Sequence, residues 1–469
     1  MGQATDLATA SAVELAALVR DRRASPVEIT EAVLERIAGQ NPRLNAFAAL
    51  DEEGARAAAR AAEVAVMRGE ELGPLHGVPA TIKDVQSIAG LPTRRGSRLT
   101  DPTPAAADSP VSARMRAAGA ILLGKTTSTE QGWTAVSDSP LTGSTHNPWM
   151  QGRTAGGSSS GAAALCGAGC GPLHLGTDGA GSIRIPAHFC GVVGFKPSYG
   201  RVPYVPVPNN GALSHAGPIT RSVEDAALMF SVIAGPHPLD HTTLPDRFAP
   251  GIEPGGLDGL RIAFSPDLGH ARVDPDVAAA VAEAVRKLEG LGAMVEQVTP
   301  PWGPAGPALE RDMWGFGMRP FLARSPEEAA QMDPGLVACT EDYRHYGFMD
   351  AHAAQGRRIA YAAQVNAWFE EAGYDLLVTP SASVAAFEVG RQMPAHWPQH
   401  PWDWLVWAEF SYPFDLSHGP AISVPCGLSR EGLPVGLQFA GPRLADSLVL
   451  RAGAAFLAAH PFEIIPARA

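Results

Sequence analysis

Lysine is almost missing from this 469-residue chain: of 36 basic residues only Lys83, Lys125, Lys196 and Lys287 are lysine, which leaves 32 arginines. Cysteine is sparse as well. The five present (Cys166, Cys170, Cys190, Cys339, Cys426) are an odd number scattered through a long chain, which excludes a disulfide framework and suits reduced thiols. Cys166 and Cys170 stand four apart and would share a helix face. No further Cys or His follows at ligand spacing, so they read as small buried side chains rather than a metal or redox pair. No apolar run approaches the roughly 18 residues needed to span a bilayer, and Met1 to Asp6 holds no basic stretch leading into an apolar core. No membrane partner is expected, and the cytoplasm is the expected location. Clustered basic residues are lacking too: the net charge is −12, with Asp and Glu spread along the chain, which argues against a nucleic-acid surface. What remains, with 45% hydrophobic and 18% charged residues, 50 Gly and 42 Pro, is a globular enzyme with a large core and many turns.

The N-terminal stretch predicts two amphipathic helices. Ser11 with Glu14 makes one capping box, and Ser25-Pro26 with Glu28 makes a second with proline at the first helical position. Leu15, Leu18 and Val19 supply one apolar stripe and Ile29, Val33 and Ile37 the next; an alanine-rich segment from about Asp51 to Met67 completes a helical arm over residues 1–70. From 75 to 235, short apolar runs such as Ala120-Ile121-Leu122-Leu123 and Val192-Val193-Gly194-Phe195 alternate with Gly, Ser and Pro clusters, the texture of a sheet with active-site loops. A variable region over 236–410 opens with strand, helix and strand, at Leu260 to Phe264, Val277 to Leu288 and Ala293 to Val298, a βαβ-like unit. It goes on as a helical stretch up to about Glu371 and the strand-like Leu376-Leu377-Val378-Thr379-Pro380. Residues 411–469, with Ala421-Ile422-Ser423-Val424-Pro425, read as a return to the same sheet. No internal repeat or low-complexity linker divides the chain, so a single domain is expected.

Where arginine is the default cation, a lysine raises the question of what arginine cannot do. A guanidinium keeps its proton, whereas a desolvated ammonium falls toward neutral pH and can act as a base. Lys83 ends Gly77-Val78-Pro79-Ala80-Thr81-Ile82-Lys83-Asp84, a buried strand by its composition; the plain alternative is a strand-end lysine paired with Asp84. A second stretch, Thr154-Ala155-Gly156-Gly157-Ser158-Ser159-Ser160-Gly161, runs into the helix-forming Ala162-Ala163-Ala164-Leu165. It reads as an anion cradle at a helix start, or as a Gly-x-Ser-x-Gly elbow with Ser159 as nucleophile. No Gly-Lys-Ser/Thr ending supports a phosphate loop, and none of the 14 histidines stands out as a partner for Ser159. In the third stretch, Gly176-Thr177-Asp178-Gly179-Ala180-Gly181-Ser182-Ile183-Arg184, small residues before a serine let several backbone N–H groups converge on one point, as an oxyanion hole requires.

Together these stretches resemble the amidase signature family. The resemblance extends through Leu75-His76-Gly77-Val78-Pro79, Asn147-Pro148-Trp149, Gly194-Phe195-Lys196-Pro197-Ser198-Tyr199-Gly200 and Ala216-Gly217-Pro218. It reaches Gly419-Pro420-Ala421-Ile422-Ser423-Val424-Pro425-Cys426-Gly427 and Gly432-Leu433-Pro434-Val435-Gly436-Leu437-Gln438 near the C-terminus. It implies an α/β fold, with a mixed central β-sheet covered by helices on both faces (α/β/α), and a Ser–cis-Ser–Lys triad. In that family pattern Lys83 is the neutral base, Ser158 follows a cis peptide from Gly157 and relays the proton, and Ser182 attacks the carbonyl to form an acyl-enzyme. The backbone N–H groups of Gly179, Ala180, Gly181 and Ser182 form the oxyanion hole. No metal or organic cofactor is implied.

Departures from the family pattern touch no reacting group. Gly179-Ala180-Gly181-Ser182 stands for the usual Thr-Gly-Gly-Ser, Ser160 replaces a glycine, and Phe414-Asp415-Leu416-Ser417 replaces Phe-Asn-x-Thr. Asp178, Arg184 and Lys196 read as structural. Trp397, Trp402, Trp404 and Trp407 fall within eleven residues, either as core or as walls of a pocket for an aryl group. The substrate expected is a small-molecule amide or carbamate, aryl by preference, and a homodimer is left open. The alternative is the glutamine-hydrolysing component of a tRNA-dependent amidotransferase, although Leu213-Ser214-His215-Ala216-Gly217-Pro218 lacks the Asp-Gln lead-in of that branch.

Overall fold

The computed structural model describes residues 6–463 apart from 250, 253, 254 and 324. Its strands, in chain order, are β1 (Phe47–Leu50), β2 (Pro79–Lys83), β3 (Ile121–Thr126), β4 (Asp138–Ser139), β5 (Gly143–Ser144), β6 (Leu173–Asp178) and β7 (Val193–Lys196). They continue with β8 (His215–Thr220), β9 (Arg261–Phe264), β10 (Met294–Gln297), β11 (Leu376–Pro380), β12 (Ala421–Leu428) and β13 (Pro434–Ala440). All but the β4–β5 ribbon lie in one sheet of order β1-β3-β2-β6-β8-β7-β12-β13-β11-β9-β10. The sheet is mixed: β3, β2 and β6 run parallel, as do β11, β9 and β10, and the strands between them are antiparallel.

Alternation along the strands explains why helices cover both faces, since successive side chains of a strand point to opposite sides. In β3, Leu122 joins the core that holds Met115 and Phe230, whereas Ile121 and Leu123 join the core beneath helix Ser160–Gly167. In β11, Leu376 and Val378 face the first core and Leu377 faces an aromatic one that contains Trp133 and Trp314. Strands buried on both faces carry continuous apolar runs, here Ile121-Leu122-Leu123 and Leu376-Leu377-Val378, and the polar Lys125, Thr126 and Thr379 stand toward the C-terminal ends of their strands.

The capping boxes at Ser11 and Ser25 form as expected, on helices Ala12–Arg20 and Pro26–Leu44, and Asp51 caps Glu52–Arg68. The expected βαβ unit is present as β9, helix Pro275–Glu289 and β10, with its strands parallel. The N-terminal region is not purely helical, however. Phe47-Ala48-Ala49-Leu50 forms β1 and pairs antiparallel with β3, so the arm is joined to the sheet edge. Four residues without polar alternation carry no strand signal of their own; pairing with β3 makes the strand. The pairing needs Gly124, whose φ of +140° suits no side chain and where a Cβ would overlap the Ala49 carbonyl oxygen. Gly124→Val is expected to destabilise the protein by about 2–4 kcal/mol, read as a lower midpoint of urea unfolding; an unchanged midpoint contradicts this account of the sheet edge.

Candidate active site

β2 and β6 run side by side and parallel, with Ala80, Thr81 and Ile82 opposite Leu173, His174 and Leu175. Their C-terminal ends therefore bring Lys83 beside Thr177 and Asp178. The third contributor is the turn before helix Ser160–Gly167, where the Gly157–Ser158 peptide is cis, as the family resemblance implies. Gly157 has no room for a side chain, because a Cβ there would overlap the Val136 carbonyl oxygen. Lys83 Nζ lies 2.7 Å from Ser158 Oγ and 2.9 Å from Thr177 Oγ1, in a fully buried setting. Ser158 and Ser182 line one small cavity of about 30 Å³, together with Thr177, Asp178 and Gly179.

Burial lowers the Lys83 pKa to about 7, against a smaller opposing pull from Asp178. No carboxylate among the described residues comes within ion-pair range of Lys83. The pairing with Asp84 does not occur: Asp84 instead meets Lys125 at 3.0 Å. Adjacent residues of an extended segment point to opposite sides, so Lys83 and Asp84 cannot meet. Ser159 is equally excluded as the exposed nucleophile of an elbow. Its Oγ is buried between the Thr177 carbonyl and N–H, 3.2 Å from each.

The loop between β6 and helix Arg184–Cys190 carries Gly179, Ala180, Gly181 and Ser182 past the cavity, and Asp178 and Arg184 fix its two ends. Arg184 donates to both Asp178 oxygens at 3.0 and 2.9 Å and to Asp415 Oδ2 at 2.6 Å, with all three side chains inaccessible to solvent. Burial raises both carboxyl pKa values, but the Arg184 charge and hydrogen bonds outweigh it at Asp178, which is held well below the carboxylate range; Asp415, beside the Asp178 charge, is pushed up. Asp178 also accepts from Gly181 N–H at 2.6 Å and Ile183 N–H at 3.1 Å. Here the geometry departs from the expected hole. The Gly181 N–H is turned into the carboxylate, and only those of Gly179, Ala180 and Ser182 lack an acceptor among the described residues. Gly181 is needed for another reason: its φ of +107° and its approach to Ser411 exclude a side chain. Lys196 is structural, as expected, with its ammonium on the Pro197 and Gly419 carbonyls.

The four clustered tryptophans are core. Each is at most 5% exposed, each indole N–H has an acceptor (Asp274, Asp342, Trp133 and Gln392), and none lines the cavity of Ser158 and Ser182. The indole that does reach it is Trp314, whose N–H bonds the Trp133 carbonyl at 2.9 Å. Sequence reasoning also missed Thr177 as a contact of Lys83, Asp415 as a partner of Arg184, and the cavity walls Arg95, Gln131, Asn209 and Asn210. Thr177 had a signal, since it stands beside Asp178 in the glycine-rich stretch.

The amidase family model matches residues 28–308 and 328–450. An acylamidase of Rhodococcus erythropolis is 38% identical over 96% of both chains, and a component of the glutamyl-tRNA(Gln) amidotransferase of Salinispora tropica is 36% identical over 96% of this chain and 97% of its own. Among solved structures, a bacterial aryl acylamidase of the amidase signature enzymes superposes with a TM-score of 0.89 at 30% identity over 97% of each chain. A 6-aminohexanoate cyclic dimer hydrolase complexed with substrate gives 0.87 at 30% identity over 98% of each. The chain belongs to the amidase signature family, a class of amidohydrolases.

Removing Arg184 tests the clamp on the loop. Arg184→Met leaves two buried carboxyl groups without their counter-charge, and a loss of about 3–5 kcal/mol is expected in urea unfolding. A loss below about 1 kcal/mol contradicts the clamp.

Proposed function

We propose that this amidase cleaves a carboxamide-type C–N bond through an acyl-enzyme on Ser182, with Ser158 as proton relay and Lys83 as base. The observation that carries the reading is the buried amine of Lys83, 2.7 Å from Ser158 Oγ and unpaired with any carboxylate of the described residues. As a neutral amine it accepts the Ser158 proton while Ser158 takes the proton of Ser182, whose oxygen attacks the carbonyl carbon. The tetrahedral oxyanion receives the N–H groups of Gly179, Ala180 and Ser182, and the Arg184–Asp178 pair holds that loop in place before the charge develops. Collapse breaks the C–N bond, and the amine leaves with the proton returned through Ser158. Water then attacks the acyl-enzyme by the same route.

The cavity lined by Ser158 and Ser182 is small, about 30 Å³, and larger space lies beside it for a substituent. A cavity of about 270 Å³ shares Tyr204, Pro208 and Ser214 with it and is walled by Tyr199, Val202, Val207 and Leu239. This supports an aryl amide, or an aryl carbamate with the same attacked carbonyl, and the kinship to an aryl acylamidase points the same way. The amidotransferase reading has less support, because the Leu213-Ser214-His215 segment lacks the Asp-Gln lead-in and its His215 is buried beside Asp415. We also take the chain as one catalytic domain in the cytoplasm, in keeping with strands from Phe47 to Ala440 in one sheet and with unpaired cysteines.

Ser182→Ala is expected to lower kcat by at least about 10⁴-fold with an unchanged unfolding midpoint, and a fluorophosphonate to label the wild type at Ser182. Label on Ser159 overturns the assignment. Because only the amine form of Lys83 accepts a proton, kcat/KM should rise tenfold per pH unit below about 7 and level off above it. Lys83→Arg, which keeps the charge but not the titration, should be as inactive as Lys83→Ala; near wild-type turnover in the arginine variant sinks the base assignment.

A further inference from the structure

Arg95 lines the same cavity as Ser158 and Ser182, yet no carboxylate or carbonyl of the described residues accepts from its guanidinium. The acids around it are already engaged. Asp84 pairs with Lys125 at 3.0 Å, Asp178 with Arg184 at 2.9 Å, and Glu130 accepts from Ser97 Oγ and the Asp333 N–H at 2.6 Å each. The backbone that presents Arg95 is fixed. Its N–H donates to the Asp84 carbonyl at 3.0 Å and its carbonyl accepts from Gln131 N–H at 2.7 Å, while Arg94 N–H bonds Asp84 Oδ1 at 3.2 Å. Arg95 and Gly96 both have positive φ, +52° and +63°, and a Cβ at residue 96 would overlap the Ser128 carbonyl oxygen. For arginine this is an uncommon conformation, kept here although it costs free energy, and it turns the segment against residues 128–131 at the cavity edge. Gln131, Asn209, Asn210 and Ser214 make the rest of the rim polar.

We propose that Arg95 is a specificity residue that selects amides carrying a carboxylate, which its guanidinium binds while the amide carbon sits at Ser182. An unpaired guanidinium in a narrow, half-buried cleft matches a planar anion in two parallel hydrogen bonds, and it is less hydrated than an ammonium, so it loses less on entry of the substrate. A neutral amide of the same shape leaves that cation facing water or an apolar group and gains nothing from it.

The proposal rests on Ser182 being the reacting residue, so it is tested by binding, without turnover, in the Ser182→Ala protein. Calorimetry would compare succinanilate, with the carboxylate on the acyl side, against butyranilide, and 4-acetamidobenzoate, with it on the amine side, against acetanilide. In one of the two pairs the anion is expected to bind about 30-fold or more tightly than its neutral partner. That pair also reveals which substituent lies against Arg95. Adding Arg95→Gln should bring the ratio to within about threefold of one, and Arg95→Lys should keep part of it. Ratios near one in both pairs with Arg95 intact, or a Gln variant that weakens anion and neutral ligand equally, overturn the proposal. If wild type hydrolyses no amide but the anion preference and its loss are seen, the amidase mechanism fails and the Arg95 site stands.

Discussion

The site depends on an ammonium that cannot stay charged. Burying a lone cation without a counter-ion is opposed by its lost hydration, and the group yields by giving up its proton. Lys83 has hydroxyl and carbonyl oxygens around it and, among the described residues, no carboxylate within pairing distance, so the amine becomes available near neutral pH. A closer acid would hold the proton in place and remove the base. The separation of Asp84 from Lys83 across the strand, and its engagement by Lys125, therefore matters as much as the contact with Ser158.

The proposed chemistry also requires a stiff loop for developing negative charge. Asp178 is the last residue of β6 and accepts two N–H groups of the loop it begins, while Arg184, at the start of the next helix, reaches back to it and across to Asp415. Two carboxyl groups and one guanidinium at zero exposure make a costly arrangement for stability alone. In the proposed mechanism this orients the N–H groups of Gly179, Ala180 and Ser182 before substrate arrives, so that little reorganisation is left for the moment of reaction. Asp415 belongs to the C-terminal return, so the last part of the chain braces a loop whose other anchors, Asp178 and Arg184, lie far earlier in the sequence.

Legibility followed sequence distance. Ser158 and Ser182 stood out because small residues and glycine flank them over a few positions, and the backbone geometry they need leaves a local trace; Lys83 stood out because lysine is scarce and this one ends an apolar strand. The Asp415 contact spans 231 residues and left none. The diversion of Gly181 N–H into Asp178 was hidden for another reason: the two are neighbours in sequence, but the direction in which the carboxylate turns is decided by Arg184. The tryptophans were left open between core and pocket wall because a Pro-rich stretch without periodicity gives no sign of burial; in the fold all four rings are buried and each indole N–H finds an acceptor. Strand β1 was silent in the sequence, being fixed by its partner rather than by its own four residues.

The scarcity of lysine now has a physical reading. Three of the four lysines, Lys83, Lys125 and Lys196, are fully buried around the site, and each is surrounded differently. Lys125 has a carboxylate, which offsets part of its burial and keeps it an ion-pair partner that anchors residue 84. Lys196 sits on two carbonyls with Asp415 in electrostatic range, and burial brings it only to about 8. Lys83, among hydroxyls and with Asp178 acting on it only from beyond ion-pair range, falls to about 7. A chain that uses arginine wherever a permanent charge is wanted keeps lysine where a compact, adjustable cation must fit inside the protein, and the neighbours decide whether it serves as anchor or base. Arg95 is the complement of that rule: the cavity lined by Ser158 and Ser182 has an arginine, not a lysine, on its wall.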